Sequence, residues 1–171
     1  MVVKDKGKDF EPIPTGTQLA VCVANHDIGM QPGYKGGAPK HKVVLVWELE
    51  ERRTMGDFAG QRFVVCKKYT ASLDERANLT KDLESWRGKA FTPQQREGFE
   101  LNALHGKNCN LNMVESDNGY VNVASITGLI KGQKPMEPEQ PGYMPKWIAG
   151  LIQAEAGDSN APEFDDDDIP F

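Results

Sequence analysis

The chain has 171 residues, 39% of them hydrophobic and 26% charged, a composition typical of one globular domain with room for an appendage. No stretch approaches the roughly 18 consecutive apolar residues of a membrane span, and the first ten residues lack the apolar core of a signal peptide. Three cysteines argue against a disulfide framework, so we expect a cytoplasmic protein in which Cys22, Cys66 and Cys109 are buried apolar side chains.

The net charge of −5 conceals an uneven distribution. Residues 151–171 carry seven acidic residues and no lysine or arginine. Without them, 20 basic and 18 acidic residues remain, a balance of about +2. The stretch from Lys35 to Lys68 contains eight basic and four acidic residues. The sequence therefore predicts a mildly basic body joined to an acidic tail.

Three strands are predicted at 15–29, 42–51 and 62–70, because apolar and β-branched residues recur there at strand spacing. A loop rich in glycine and proline separates the first two strands. Trp47 alternates with Leu45 and Leu49, which indicates a core position.

Two helices are predicted next, at 72–88 and 92–106. Each opens on a capping box, at Ser72 or Thr92, and each ends at a glycine. The apolar face of the first helix comprises Leu79, Leu83 and Trp86, and Trp86 is expected to close that helix against the sheet. The apolar face of the second helix comprises Phe99, Ala103 and Leu104.

Two further strands are predicted at 107–116 and 120–130, joined by a turn that contains Asn118 and Gly119. A proline-rich extended spacer follows, and 145–157 is compatible with one short helix that presents Trp147, Ile148, Leu151 and Ile152. We expect that helix to pack on the body or on another copy. The predicted units are a domain at 1–132, a spacer with the short helix at 133–157, and a disordered acidic tail at 158–171.

The predicted order β-β-β-α-α-β-β is that of an OB-fold, a five-stranded barrel that binds oligonucleotides or oligosaccharides on its β2–β3 face and its β1–β2 and β4–β5 loops. The candidate nucleic-acid contacts in those places are Tyr34, Lys35, Lys40, Lys42, Arg62, Lys67, Lys68, Tyr69 and Tyr120. Cations replace the counterions of the phosphates, and aromatic rings stack on bases. These residue types in a groove are typical of single-strand binding.

Several of these candidates have an alternative. Tyr69 and Lys67 share strand parity with Phe63 and Val65, so an interior position is open for both. Arg62 and Lys68 have the opposite parity. Tyr34 lies in a Gly-Pro loop with little core to join.

Catalytic motifs are missing from the sequence. It contains no phosphate-binding loop, dinucleotide fingerprint or H-E-x-x-H motif, and its histidines and cysteines lack zinc-ligand spacing. We therefore expect a protein that is not an enzyme and that uses no cofactor or metal.

The last seven residues, "DDDDIPF", closely resemble the C-terminal tip of bacterial single-stranded DNA-binding proteins. The resemblance implies that the tip docks on replication, recombination and repair proteins, through Asp165, Asp166, Asp167, Asp168, Ile169, Pro170 and Phe171. The resemblance implies that the terminal Phe enters an apolar pocket of the partner, that its carboxylate meets a basic residue, and that the aspartates face a basic rim, as in that family.

The body resembles phage-encoded single-stranded DNA-binding proteins across roughly 15–130, through "WELEE", "FVVCKKYTASL", "LESWRGKAFT" and "ALHGKNCNLNM". That resemblance implies an OB-fold that coats single-stranded DNA without sequence preference, in the bacterial host cytoplasm if the protein is phage-encoded. The body departs from the bacterial type, which argues against carrying over the bacterial tetramer, and a homo-oligomer stays open. Two other hypotheses remain: an OB-like adaptor that works through Trp147 to Ile152 and the tail, and an RNA-binding protein.

Overall fold

The computed structural model describes residues 11–157, which form one mainly β unit with a few helices. Its strands are β1 (Gly16–Gln31), β2 (Lys40–Arg52), β3 (Arg62–Thr70), β4 (Asn108–Glu115) and β5 (Val121–Thr127). All five predicted strands are confirmed, although β5 ends three residues earlier than the sequence indicated. Its helices are α1 (Asn78–Arg87), α2 (Pro93–Arg96) and α3 (Lys146–Gly157).

The five strands form one antiparallel sheet in the order β3-β2-β1-β4-β5. The central strand β1 is long enough to pair with β2 along most of its length and with β4 over its first six residues. Register shifts at Cys22/Ala24 and Asp27/Gly29 interrupt its pairing with β2. Such irregularities bend a strand and increase its twist, and the two edge strands β3 and β5 come into contact.

The two faces of the sheet bury different clusters. The inner face carries Trp47, Phe63, Val65, Tyr69 and Leu111, packed against Leu83 and Trp86 of α1. The Trp86 ring lies 6.2 Å from that of Trp47, and its Nε1 donates to the Asn108 carbonyl at 2.9 Å. The expected core positions of Trp47 and Trp86 are therefore confirmed.

The outer face of β1, β2 and β3 carries Val21, Val44, Val46 and Cys66, and α3 covers it with Ile148 and Leu151. Ile148 has no exposed surface. The short helix predicted near the C-terminus therefore exists and packs on the body. The predicted disordered tail, 158–171, lies outside the described residues.

Both predicted helices after β3 are shorter than expected. The first begins at Asn78, after an N-cap at Ala77 that forms no side-chain cap. Ser72 Oγ instead accepts a bond from the Asp74 N–H, and Asp74 accepts one from the Arg76 N–H. These local side-chain bonds compete with a helical start, so the capping box proposed at Ser72 was wrong, whereas the left-handed stop at Gly88 is confirmed.

The second predicted helix divides into two short pieces. Thr92 and Gln95 form the expected capping box, but α2 ends at Arg96, and a separate 3₁₀ turn covers Leu101–Leu104. Gly98 lies between them, where a glycine disfavours continued helix by about 1 kcal/mol. Of its predicted apolar face, Leu104 is buried, Phe99 is half-buried and Ala103 is exposed. None of the helices within residues 11–157 is long and apolar enough to cross a membrane.

Candidate nucleic-acid interface

The loop between β1 and β2 exposes an aromatic ring beside a cation. Tyr34 is 68% exposed, and the Lys35 ammonium lies 5.3 Å from the centre of its ring. Both belong to a 3₁₀ turn, Tyr34–Gly36, flanked by glycines. An exposed ring with a neighbouring cation can stack on a base while the cation approaches a phosphate.

The backbone of this loop is constrained. Lys35 has φ of 48°, the only positive value at a non-glycine residue among those described. At Gly33, a Cβ atom would lie 2.4 Å from the carbonyl oxygens of Gly37 and Ala38, so only glycine fits. Backbone strain of this kind costs about 1–3 kcal/mol and clusters at binding and switch regions. Tyr34 and Lys35 therefore lie in a constrained turn, with the Tyr34 ring exposed.

Three further lysines lie next to this loop on the outer face. Lys40 pairs with Gln31, Lys42 with Thr70, and Val44 with Lys68. Since paired residues of antiparallel strands point to the same side, Lys40, Lys42 and Lys68 share one face. Lys40 is exposed, and Lys42 and Lys68 are half-buried. We call Tyr34, Lys35, Lys40, Lys42 and Lys68 the lysine end.

Asp27 and His41 form a polar pair beside the β1–β2 loop that the sequence pattern did not indicate. Asp27 on β1 accepts a bond from the Gly29 N–H and contacts His41 Nε2 at 2.6 Å. The Gly29 N–H and His41 lower the pKa of the Asp27 carboxyl. Asp27 therefore stays anionic near neutral pH. It pairs with Val43 of the inner cluster, so its carboxylate lies on the opposite side of the sheet from Lys40, Lys42 and Lys68. The alternation of β1 and β2 could have indicated this pair only with the register known.

Tyr69 is a core residue, which argues against the stacking role that the sequence left open for it. It is 2% exposed, and its hydroxyl donates to Asp82 Oδ2 of α1 at 2.6 Å. Burial and the Asp82 carboxylate raise the pKa of the Tyr69 phenol well above its ordinary value. We therefore leave Tyr69 out of the candidate interface.

Lys67 also turns inward. Its ammonium forms an ion pair with Asp82 at 2.7 Å and lies 5.2 Å from the ring centre of Tyr69. Both Lys67 and Tyr69 therefore lie on the inner face, the alternative that their strand parity left open. A phosphate contact by Lys67 would require breaking a half-buried pair, so we leave it out as well.

Arg62 is held at the opposite end of the outer face. Its guanidinium donates to the buried Glu48 carboxylate at 3.1 Å and to the Glu137 carbonyl at 2.7 Å. Glu48 also accepts the backbone N–H groups of Glu139 and Gln140, at 2.9 and 2.7 Å. Arg62 thus anchors the segment before α3, and its side chain is only 13% exposed.

Tyr120 lies at the other end of β1 from the lysine end. It is 38% exposed beside the β4–β5 turn, and Gly16 at the start of β1 pairs with Met113 near that turn. The structure therefore brings Tyr34, Lys35, Lys40, Lys42 and Lys68 together but leaves Tyr120 apart from them.

The proline-rich segment crosses the outer face, which the sequence did not indicate. Asn108 exchanges side-chain bonds with the Met136 backbone at 2.7 and 2.9 Å, and the Gly142 N–H donates to the Val23 carbonyl at 2.8 Å. With α3, this segment covers the middle of the outer face. At the lysine end of that face, Lys40 is exposed.

Comparison with protein-family models, with curated proteins and with solved structures found no match to this chain. Within residues 11–157, no three histidine, cysteine or acidic side chains are grouped so that they could hold a metal ion. The function of the site therefore has to follow from the geometry of its own residues.

Proposed function

We propose that the chain is a sequence-independent single-stranded DNA-binding protein of OB type, which coats single strands during phage DNA replication, recombination or repair. The observation that carries the proposal is the exposed Tyr34 ring beside Lys35, in a strained loop that adjoins Lys40, Lys42 and Lys68. Stacking and phosphate neutralisation are the two contributions that sequence-independent binding needs. The acidic tip, Asp165 to Phe171, would recruit replication proteins.

The sheet supports an OB-type barrel. Its order places β1 between β2 and β4, a helical segment lies between β3 and β4, and the edge strands touch. In that architecture the β1–β2 loop and the β2–β3 face bind oligonucleotides. The C-terminal segment would restrict single-stranded DNA to the lysine end of the outer face.

The adaptor hypothesis is weakened by the packing of α3. Ile148 and Leu151 are buried on the outer face, so the residues that an adaptor would present are largely occupied. RNA binding stays open, because stacking does not depend on the 2′-hydroxyl.

A fluorescence titration of the full chain with oligo-dT at low salt tests the proposal. We expect Tyr34→Ala to weaken binding by roughly 5- to 150-fold, the equivalent of about 1–3 kcal/mol for the removal of one base stack. Phe58→Ala is the matched control, because Phe58 is an aromatic residue with 59% exposure in the β2–β3 loop. Duplex DNA and RNA of the same length form parallel arms.

The salt dependence of oligo-dT affinity is the second measurement. A variant that removes one cation from a phosphate should reduce the slope of log affinity against log salt by about 0.7 for a single strand. If the wild-type chain shows no affinity for oligo-dT at low salt, the proposed function is wrong. If Tyr34→Ala and Phe58→Ala weaken binding equally, the lysine end is not the site of DNA binding.

A further inference from the structure

An apolar cleft opens on the other side of the sheet from α3, between α1, the α2 segment and the start of β4. Its volume is about 600 Å³, within the range of roughly 300–1,000 Å³ typical of ligand sites. Its apolar walls include Leu83, Trp86, Phe91, Phe99, Leu104 and Leu129. None of its lining residues belongs to β2, β3 or the β1–β2 loop, so the cleft is separate from the lysine end.

Every charged residue in the lining of this cleft is basic, namely Arg87 and Lys107. The Arg87 guanidinium lies 4.6 Å from the centre of the Phe91 ring, and both cations are exposed. Lys131 and Lys134 lie in the turn between the wall residues Leu129 and Pro135. Glu84 is the acidic residue of α1 nearest to Arg87 in the sequence, and its carboxylate accepts a hydrogen bond from the Phe91 N–H at 2.7 Å. The cleft is therefore apolar inside and basic at its edge.

The chain contains one segment with the opposite pattern. Residues Asp165 to Asp168 supply four acids in a row, and Ile169, Pro170 and Phe171 follow as three apolar residues. We propose that this cleft binds the Asp165–Phe171 segment of the same molecule, with Ile169 and Phe171 against the apolar walls and the aspartates beside Arg87 and Lys107. Burial of the apolar side chains would supply most of the affinity, because exposed ion pairs contribute little.

The length of the connection allows this contact. Residues 158–171 follow α3, and 14 residues span at most about 45–50 Å when extended. A domain of the described size has a radius of gyration of about 15 Å, so much of its surface lies within reach. A short tether also raises the effective concentration of the segment to the millimolar range, which favours the same molecule over a second copy.

The proposal does not depend on nucleic-acid binding. It would hold the tip on the body when no other protein binds it, and a partner would have to compete with the cleft for Phe171. An experiment can therefore disprove the contact between the tip and the cleft without disproving single-strand binding, and the reverse also holds.

Paramagnetic NMR on the full chain tests the contact. A nitroxide on Ala161→Cys can be attached selectively, because Cys22, Cys66 and Cys109 are at most 3% exposed and burial raises the pKa of each thiol. We expect the spin label to broaden the Trp86 indole N–H and the Leu104 and Leu129 signals. Signals of the lysine end, which contributes no residue to the cleft, should be less affected.

Two pairs of variants make the test specific. Phe171→Ser in the labelled chain should abolish the broadening, whereas Pro162→Ala, in the same tail but outside the tip, should leave it. Lys107→Glu at the edge of the cleft should also reduce it, whereas Lys81→Glu, an exposed lysine on the far part of α1, should not. Raising the salt concentration should weaken the contact in the same direction as Lys107→Glu.

Three results would overturn the proposal. The first is the absence of broadening around the cleft. The second is broadening centred on the lysine end instead, which would place the tail on the nucleic-acid interface. The third is broadening that appears in a mixture of spin-labelled and isotope-labelled molecules as strongly as within one molecule, which would assign the contact to a second copy.

Discussion

The two ends of the outer face of β2 and β3 belong to the same strands, but they differ in their contacts with the C-terminal segment. At one end, Glu48 is 1% exposed and binds Arg62 and two backbone N–H groups of the proline-rich segment. At the other end, Lys40 is exposed, and Lys42 and Lys68 are half-buried. The basic residue that the C-terminal segment reaches, Arg62, is therefore structural, whereas Lys40 at the other end is exposed.

We expect the largest loss of stability from a substitution at the end that the proline-rich segment covers, where Glu48 lies. Glu48→Ala leaves Arg62 without its buried partner and two backbone N–H groups without an acceptor, so we expect a loss of about 3–5 kcal/mol in the free energy of unfolding. Urea denaturation followed by tryptophan fluorescence measures it. Glu50→Ala, an exposed acid on the same strand, should change stability by no more than about 0.5 kcal/mol. Equal losses for both variants would contradict the comparison.

Neighbouring lysines on β3 provide the sharpest contrast between the two faces. Lys67→Ala removes a half-buried ion pair with Asp82, and we expect it to lower stability by about 1–2 kcal/mol, near the range for hydrogen bonds to charged groups. Its affinity for oligo-dT should change little. Lys68→Ala should reduce the salt slope of oligo-dT binding by about 0.7.

Denaturation and salt-dependent titration of both variants check this contrast. If Lys67→Ala weakens DNA binding as much as Lys68→Ala does, the inward position of Lys67 does not describe the bound protein.

The smallest effect concerns Cys66, which lies under α3 on the covered part of the outer face. Burial raises the pKa of its thiol from 9.0 to about 12. Above pH 9 the unfolded chain loses a proton that the folded chain keeps, so stability falls as the pH rises toward the folded pKa. At pH 9.5 this thiol should cost about 0.8 kcal/mol relative to neutral pH.

Stability curves of the wild type and Cys66→Ala between pH 7 and 9.5 measure this difference. The substitution should flatten the decline at alkaline pH, whatever its effect at neutral pH. Parallel curves for the two proteins would show that the thiol titrates alike in the folded and unfolded states.

Strand alternation predicted most of the sheet, because each strand buries apolar side chains at alternating positions over part of its length. Trp47 and Trp86 follow from their spacing alone. The same alternation placed Lys67 and Tyr69 inward, but their charge and hydroxyl favoured a surface role. What decided their position is Asp82 on α1, which meets both side chains. That contact joins residues 13 and 15 positions apart, and sequence spacing does not reveal it.

The C-terminal segment was predicted as an extended spacer with a packed helix, but its path was not. Its backbone is held by Glu48 and Asn108, residues more than 25 positions away in the sequence. A buried glutamate in an otherwise apolar strand was the one available signal. The predicted start of the first helix was wrong for a local reason, because Ser72 Oγ accepts the Asp74 N–H and Asp74 accepts the Arg76 N–H, which forms turns instead of a helix.

The double pairing of β1 also orders the assembly of the sheet in time. Eight residues separate Gln31 from its β2 partner Lys40, whereas 86 residues separate Val21 from its β4 partner Asn108. Because the entropy of closing a loop grows with the logarithm of its length, the second pairing costs about 2 kcal/mol more to begin. The β1–β2–β3 meander can therefore form first, and until β4 arrives it leaves one edge of β1 open to pairing with another chain.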